Sequence, residues 1–177
     1  FNIQTVSSDP PAPFIGEVWY NSTSATVKYA ANLAASWATG GNLNTARDRL
    51  AGAGLQDAAL GFGGDDGGTT GVTEEYNGAA WTNGGTMGTP RKALGGTGTQ
   101  TAGLGFGGYA TPTKLTATEE YDGSSWTAGG NLPTAKTYMA SAGTQTAGLS
   151  SGGNPAPSVG AATEEYNGTA WTGGGNL

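Results

Sequence analysis

The sequence predicts an all-β protein, a β-propeller or an open arc of one, built from four-stranded antiparallel blades that repeat about every 45 residues. Three observations carry this expectation. Thr73-Glu74-Glu75-Tyr76-Asn77-Gly78-Ala79-Ala80-Trp81-Thr82 returns over residues 118–127 and again over 163–172, so Tyr76, Tyr121 and Tyr166 are 45 residues apart. Asn77-Gly78, Asp122-Gly123 and Asn167-Gly168 give every copy the same turn signal, because a tight type I′ hairpin needs two residues that tolerate positive φ. Glycine interrupts each stretch long enough to hold a 3.6-residue period, so no helix is expected. A small sheet cannot bury both faces alone and must stack on its neighbours.

The elements follow in order. Asp9-Pro10-Pro11-Ala12-Pro13 is stiff and cannot donate to a ladder, so residues 1–16 read as an extended linker. Residues 17–40 read as a partial first blade with strands at 17–20, 26–29 and 36–39, since Trp37 lies 44 residues before Trp81. Residues 41–177 then hold three repeats. In the middle one, residues 92–94 lead into a polar turn at Gly98-Thr99-Gln100-Thr101, and residues 102–106 form the second strand. Gly107-Gly108 ends that strand, a variable loop spans 109–115, and strands at 116–121 and 124–127 flank Asp122-Gly123. Gly174-Gly175-Asn176-Leu177 matches Gly40-Gly41-Asn42-Leu43 and Gly129-Gly130-Asn131-Leu132, where a new unit begins. The expectation is a fragment of a longer array, or an open arc completed by other subunits, and not a four-bladed ring.

Composition removes several function classes. Seven Lys plus Arg against thirteen Asp plus Glu give a net charge of −6, which disfavours a nucleic-acid partner. No run of about 18 apolar residues is present, so no transmembrane helix and no membrane insertion are expected. With neither Cys nor His, the chain lacks the usual zinc ligands, disulfides and histidine-based triads. No cofactor, metal site or catalytic residue is expected, and the chain reads as a non-enzyme.

The order basic residue, Gly-Gly, Tyr, Trp resembles the kelch repeat. Arg91, Gly107-Gly108, Tyr121 and Trp126 fill it in one unit; Arg47, Gly63-Gly64, Tyr76 and Trp81 precede, and Lys136, Gly152-Gly153, Tyr166 and Trp171 follow. Each basic residue lies ten positions beyond the preceding Trp. Only four residues separate Tyr from Trp, fewer than is usual for kelch, so the outer hairpin is expected to be tighter. The near-identical glycine-rich copies, with Gly143-Thr144-Gln145-Thr146-Ala147-Gly148-Leu149 among them, are similar to repeats in virion proteins of tailed bacteriophages. Gly16-Glu17-Val18-Trp19-Tyr20-Asn21-Ser22 is similar to a short module of phage tail-fibre proteins. This second resemblance implies a structural or appendage protein of an extracellular virion, in a tail or fibre, bound to other virion proteins, to copies of itself or to a cell-surface glycan. The alternatives are a secreted glycan-binding propeller (a lectin) or a cellular kelch protein-interaction domain.

Candidate residues divide into frame and loops. Glu74-Glu75, Glu119-Glu120 and Glu164-Glu165 recur in every unit, and neighbours on one strand point to opposite faces, so they read as structural and not as a glycosidase pair. The repeated Trp81, Trp126 and Trp171, with Trp37, read as packing against the glycine pairs, and Trp19 and Trp37 as the better candidates for another role. The loops at 65–72, 109–115 and 154–160 differ while the frame does not. Asp65, Asp66, Tyr109, Thr111, Lys114, Asn154 and Ser158 are therefore the candidate binding residues, because recognition concentrates in loops on a rigid scaffold. Asp65-Asp66 reads as a solvated loop in preference to a calcium site.

Overall fold

A computed structural model describes residues 3–10, 17–29, 38–155 and 160–176. Its described residues are all-β, with several antiparallel sheets and no helix. The chain divides into two compact units, Phe1–Thr39 and Gly40–Leu177.

The first unit holds β1 (Gln4–Val6), β2 (Val18–Asn21) and β3 (Thr26–Tyr29), with β1 parallel to β2 and β2–β3 an antiparallel hairpin. Gln4–Val6 is thus a strand inside the stretch read as linker. Pairing explains the difference: its alternating backbone groups are free to bond Val18–Asn21, since the prolines lie further on. The expected strand at 36–39 falls partly on Trp37, outside the described residues, and residues 38 and 39 are not in a strand. Trp19 is buried, and its indole donates to Asp9 at 3.1 Å, beside Asn21 Nδ2 at 2.8 Å and Lys28 Nζ at 2.6 Å. Hydrogen bonds from Lys28, Asn21 and Trp19 hold the Asp9 carboxyl down at about 2. Trp19 is therefore a pillar of this sheet and not an exposed platform.

In the second unit β4 (Ala51–Leu55), β5 (Ala58–Phe62), β6 (Thr73–Tyr76) and β7 (Trp81–Asn83) form one four-stranded meander. Next come β8 (Gly95–Thr99) and β9 (Ala102–Phe106), a small hairpin β10 (Tyr109–Ala110) and β11 (Thr113–Lys114), then β12 (Thr118–Tyr121) and β13 (Trp126–Ala128). β14 (Lys136–Thr137), β15 (Ala140–Thr144), β16 (Ala147–Ser151), β17 (Asn154–Pro155), β18 (Ala162–Tyr166) and β19 (Trp171–Asn176) complete it. The second meander is β8-β9-β12-β13 and the third β15-β16-β18-β19, while β14 pairs with β17.

Two features differ from the reading of the sequence. The first strand of the middle meander is the glycine run Gly95–Thr99, with the turn confined to Gln100 and Thr101. Glycine is there for closeness: a Cβ on Gly96 would lie 2.7 Å from the Phe62 ring and 2.8 Å from Ala51 Cβ, so the bare strand lets two sheets meet. The outer hairpin is also not a two-residue turn. Tyr76 pairs with Trp81, leaving four residues between them, and Asn77 stays out of the left-handed region. Its side-chain carbonyl instead accepts the Ala79 and Ala80 N–H groups at 3.0 and 2.9 Å, and only Gly78 takes positive φ. Asn and Asp self-cap the loop in this way because a short side chain can imitate the backbone acceptor of a turn.

The core lies between the meanders. Leu60, Phe62, Met87, Leu94 and Tyr121 fill the space between the first and second, and Leu104, Phe106, Leu132, Met139, Tyr166 and Trp171 that between the second and third. The same joint is made twice. Gln100 Nε2 reaches back to Tyr76 O at 2.7 Å and Ala59 O at 3.1 Å, and Gln145 Nε2 to Tyr121 O and Gly103 O at the same distances. Tyr121 and Tyr166 donate to Glu75 and Glu120 of the preceding sheet, each at 2.5 Å. Trp126 and Trp171 donate to Thr73 and Thr118 at 2.9 Å and lean on Phe62 and Phe106, with ring centroids 4.9 and 4.7 Å apart. The rings lie against the single glycines of the middle strands, Gly61 for Trp81 and Gly105 for Trp126, and not against the glycine pairs. Trp171 is buried, whereas Trp81 and Trp126 are half-buried.

Candidate functional site

The frame consumes most of the charge that could have done chemistry. Arg47–Glu74, Arg91–Glu119 and Lys136–Glu164 are ion pairs buried at equivalent positions of the three repeats. Burial raises the Glu74 pKa, but the Asn44 N–H, Arg47 and the Thr45 N–H outweigh it, so this carboxyl sits below its ordinary value. Glu119 accepts the Gly88 and Thr89 N–H groups in the same way, at 2.7 and 3.1 Å. Glu74 and Glu119 thus clamp the crossover segments that enter their sheets. The glycine pairs belong to the same device: Gly64 N and Gly108 N donate to Arg91 O and Lys136 O of the next repeat, both at 2.9 Å. Gly107 and Gly108 have φ of +61° and +95°, and a Cβ on Gly107 would lie 2.8 Å from Lys136 O. Side chains are excluded where the next repeat's backbone crosses.

The loops converge on one place. After each buried basic residue the chain makes a short bridge to the first residue of its own loop: Asp48 with Asp65, Lys92 with Tyr109, and Thr137 with Asn154. The next residue, Arg49, Ala93 or Tyr138, is left-handed, with φ of 51°, 54° and 55°. These three are linked to one another, Ala93 N to Arg49 O at 2.8 Å and Tyr138 N to Ala93 O at 3.0 Å. Around them opens a cavity of about 310 Å³ lined by Arg49, Lys92, Tyr109, Lys114, Tyr138 and Asn154, among others. The frame therefore holds three sets of equivalent positions that carry different side chains in each repeat.

Asp65 bridges Arg49 at 2.6 Å and Lys92 at 2.5 Å, and Lys92 holds its carboxyl below the usual carboxylate range. Asp65 is thus neither a bare solvated residue nor a free ligand for calcium. Lys114 donates to Asn154 Oδ1 at 3.0 Å and has no carboxylate partner among the described residues. Asp66 and Thr111 are exposed and do not line the cavity; Ser158 lies outside the described residues. Of the loop candidates, the structure brings together Asp65, Tyr109, Lys114 and Asn154. Reading the sequence missed Arg49, Lys92 and Tyr138, because they lie outside the three variable loops from which the candidates were drawn. A signal was present: Arg49 and Lys92 follow the framework Arg47 and Arg91 closely, so one basic residue of each set is spare. Among the described residues no cluster of three or more carboxylates is arranged to hold a metal ion.

No family model matches the chain, and no curated protein matches it. Among solved structures it is similar to the one titled "Structure of YjhT", with a TM-score of 0.60 and 13% identity over 89% of this chain. The match covers 51% of that protein, so the chain spans about half the neighbour's length. At this identity the likeness concerns the fold alone.

Proposed function

We propose that this chain is a non-enzymatic structural component of a tailed-phage appendage: an open arc of a kelch-like propeller that stacks head to tail and holds its loops toward a ligand. The observation that carries this reading is the repeated joint. The downstream face of the third meander and the upstream face of the first carry the two halves of that joint. On the third meander Tyr166 O and Gly148 O stand where Tyr76 O and Ala59 O receive Gln100, and Glu165 stands where Glu75 receives Tyr121. A hollow of about 240 Å³ lies there, lined by Ala147, Gly148, Leu149, Glu165 and Tyr166. On the first meander Gln56 is exposed, Leu55 is 71% exposed, and the Tyr76 hydroxyl has no carboxylate to donate to among the described residues. A second copy supplies each missing half, which makes a heterologous contact that closes a ring or extends a filament.

Two substitutions weaken this contact relative to the internal joints. Ser151 stands where Phe62 and Phe106 offer a ring, and Ala59 stands where Gly103 and Gly148 admit a leucine. An enzymatic reading finds little support, since Glu74, Glu119 and Glu164 are held in ion pairs and Glu75 and Glu120 accept tyrosine hydroxyls. Sedimentation over a concentration series is the test of the stacking. Oligomers that Gln56→Ala and Glu165→Ala each weaken are expected; a monomer at every concentration would remove the head-to-tail reading. Labelled antibody on phage particles tests the location, and particles that never bind it would overturn the virion assignment.

A further inference from the structure

We propose that the cavity at Lys114 is a receptor for the carboxylate of an acidic saccharide. The inference names the ligand class for the recognition role proposed above and rests on that role, but not on the stacking of copies.

The first argument is where the cations go. The second unit has six basic residues: Arg47, Arg91 and Lys136 are consumed in buried pairs, and the remaining three, Arg49, Lys92 and Lys114, all line this one cavity. In a chain of net charge −6, chance does not favour such a gathering. Asp65 neutralises part of it through Arg49 and Lys92, and Asp48 lies 3.0 Å from Arg49 Nε. Lys114 is left over, held at 3.0 Å by a neutral amide that shares the cavity wall. An anion entering beside Lys114 completes its pairing without displacing a carboxylate.

Backbone conformation adds a second argument. Arg49 and Tyr138 are bulky residues held in the left-handed region, where glycine would be relaxed and a large side chain costs about 1 kcal/mol or more. The glycine pairs next door take positive φ as glycine. Side chains retained at such positions point to a use for them, and both line the cavity. Tyr138 is 63% exposed, so packing does not account for it. Tyr109 and Tyr138 supply flat apolar faces with polar tips, which suit a sugar ring, while Asn154 and Thr137 supply amide and hydroxyl groups for its hydroxyls. A volume of about 310 Å³ is at the small end for ligand pockets and fits one terminal sugar unit.

The test is calorimetric titration of the full chain at physiological salt with a short glucuronate oligosaccharide, its neutral glucose counterpart, a sulfated counterpart and inorganic phosphate. Saturable binding of the glucuronate ligand alone is expected, weakened about tenfold in Lys114→Gln, roughly the loss of one charge-assisted contact. Tyr138→Ala, which removes a ring that buries little, should weaken it with an unchanged melting temperature. Amide shifts on titration should centre on residues 93, 109, 114 and 138. Equal binding of the neutral sugar, equal binding of phosphate or of the sulfated ligand, or an unchanged affinity in Lys114→Gln would each overturn the assignment. So would absence of binding by all four ligands. Oligomer formation in the sedimentation test is independent, so its failure and this one are separable.

Discussion

Tyr121→Phe isolates one latch between sheets. The hydroxyl is buried with its residue, donates to Glu75 Oε1 at 2.5 Å and accepts the Gly85 N–H at 3.3 Å. A hydrogen bond to a charged acceptor contributes roughly 1.5–3 kcal/mol, and deletion also leaves a carboxylate short of a partner at a half-buried site. We expect a loss of about 2 kcal/mol, or roughly 4–8 °C in melting temperature for a chain of this size. The repeat supplies its own control. Tyr76 occupies the equivalent position, yet its hydroxyl contacts only the Gly41 N–H, at 3.4 Å, among the described residues. At dilution where the chain is monomeric, so that no neighbouring Glu165 reaches the Tyr76 hydroxyl, Tyr76→Phe should cost no more than about 0.5 kcal/mol, as for a surface change. Chemical denaturation of both variants, with Glu75→Gln and the double variant Tyr121→Phe/Glu75→Gln, completes the cycle. A coupling near zero between positions 121 and 75, or equal losses at 121 and 76, would refute the latch.

Three further outcomes are expected. Arg91→Met leaves Glu119 unpaired in a buried site and should cost about 3–5 kcal/mol in denaturant unfolding, part of which Arg91→Met/Glu119→Gln recovers. Ser150 is fully buried and its Oγ finds no hydrogen-bond partner, so Ser150→Ala should raise stability by about 1 kcal/mol, and a loss would reveal a hidden partner. Burial, then the Glu75 and Glu120 hydrogen bonds, push Tyr121 and Tyr166 up to about 12 from an ordinary value of 10.0. Their raised folded-state values favour the neutral form, so this stability is intact below pH 10 and is lost as pH rises through 12; spectrophotometric titration in which every tyrosine ionises near 10 would contradict it.

Much of the frame was legible because it repeats. Tyr, Trp and the Glu pairs recur at fixed spacing, and a residue demanded by every sheet-to-sheet joint must recur. Reading failed where glycine had two meanings. Gly98-Thr99 read as the start of a turn, but both belong to the strand Gly95–Thr99, whose Gly96 is stripped of a side chain so that Ala51 and Phe62 can approach. Asn77-Gly78 looked like a two-residue hairpin, but the Asn side chain caps a wider loop. The candidate site was half legible. Tyr109, Lys114 and Asn154 stand out by varying among otherwise equal copies, whereas Arg49 and Tyr138 are marked by their backbone conformation, which sequence does not display.

The most direct test of the account is a high-resolution structure of the protein in its assembled state, read at the hollow beside Tyr166. The account predicts the Gln56 amide of a neighbouring copy within hydrogen-bond distance of Tyr166 O and Gly148 O, with that copy's Tyr76 hydroxyl on Glu165. Gln56 in solvent, with the Tyr166 face bare or covered by an unrelated chain, would contradict it.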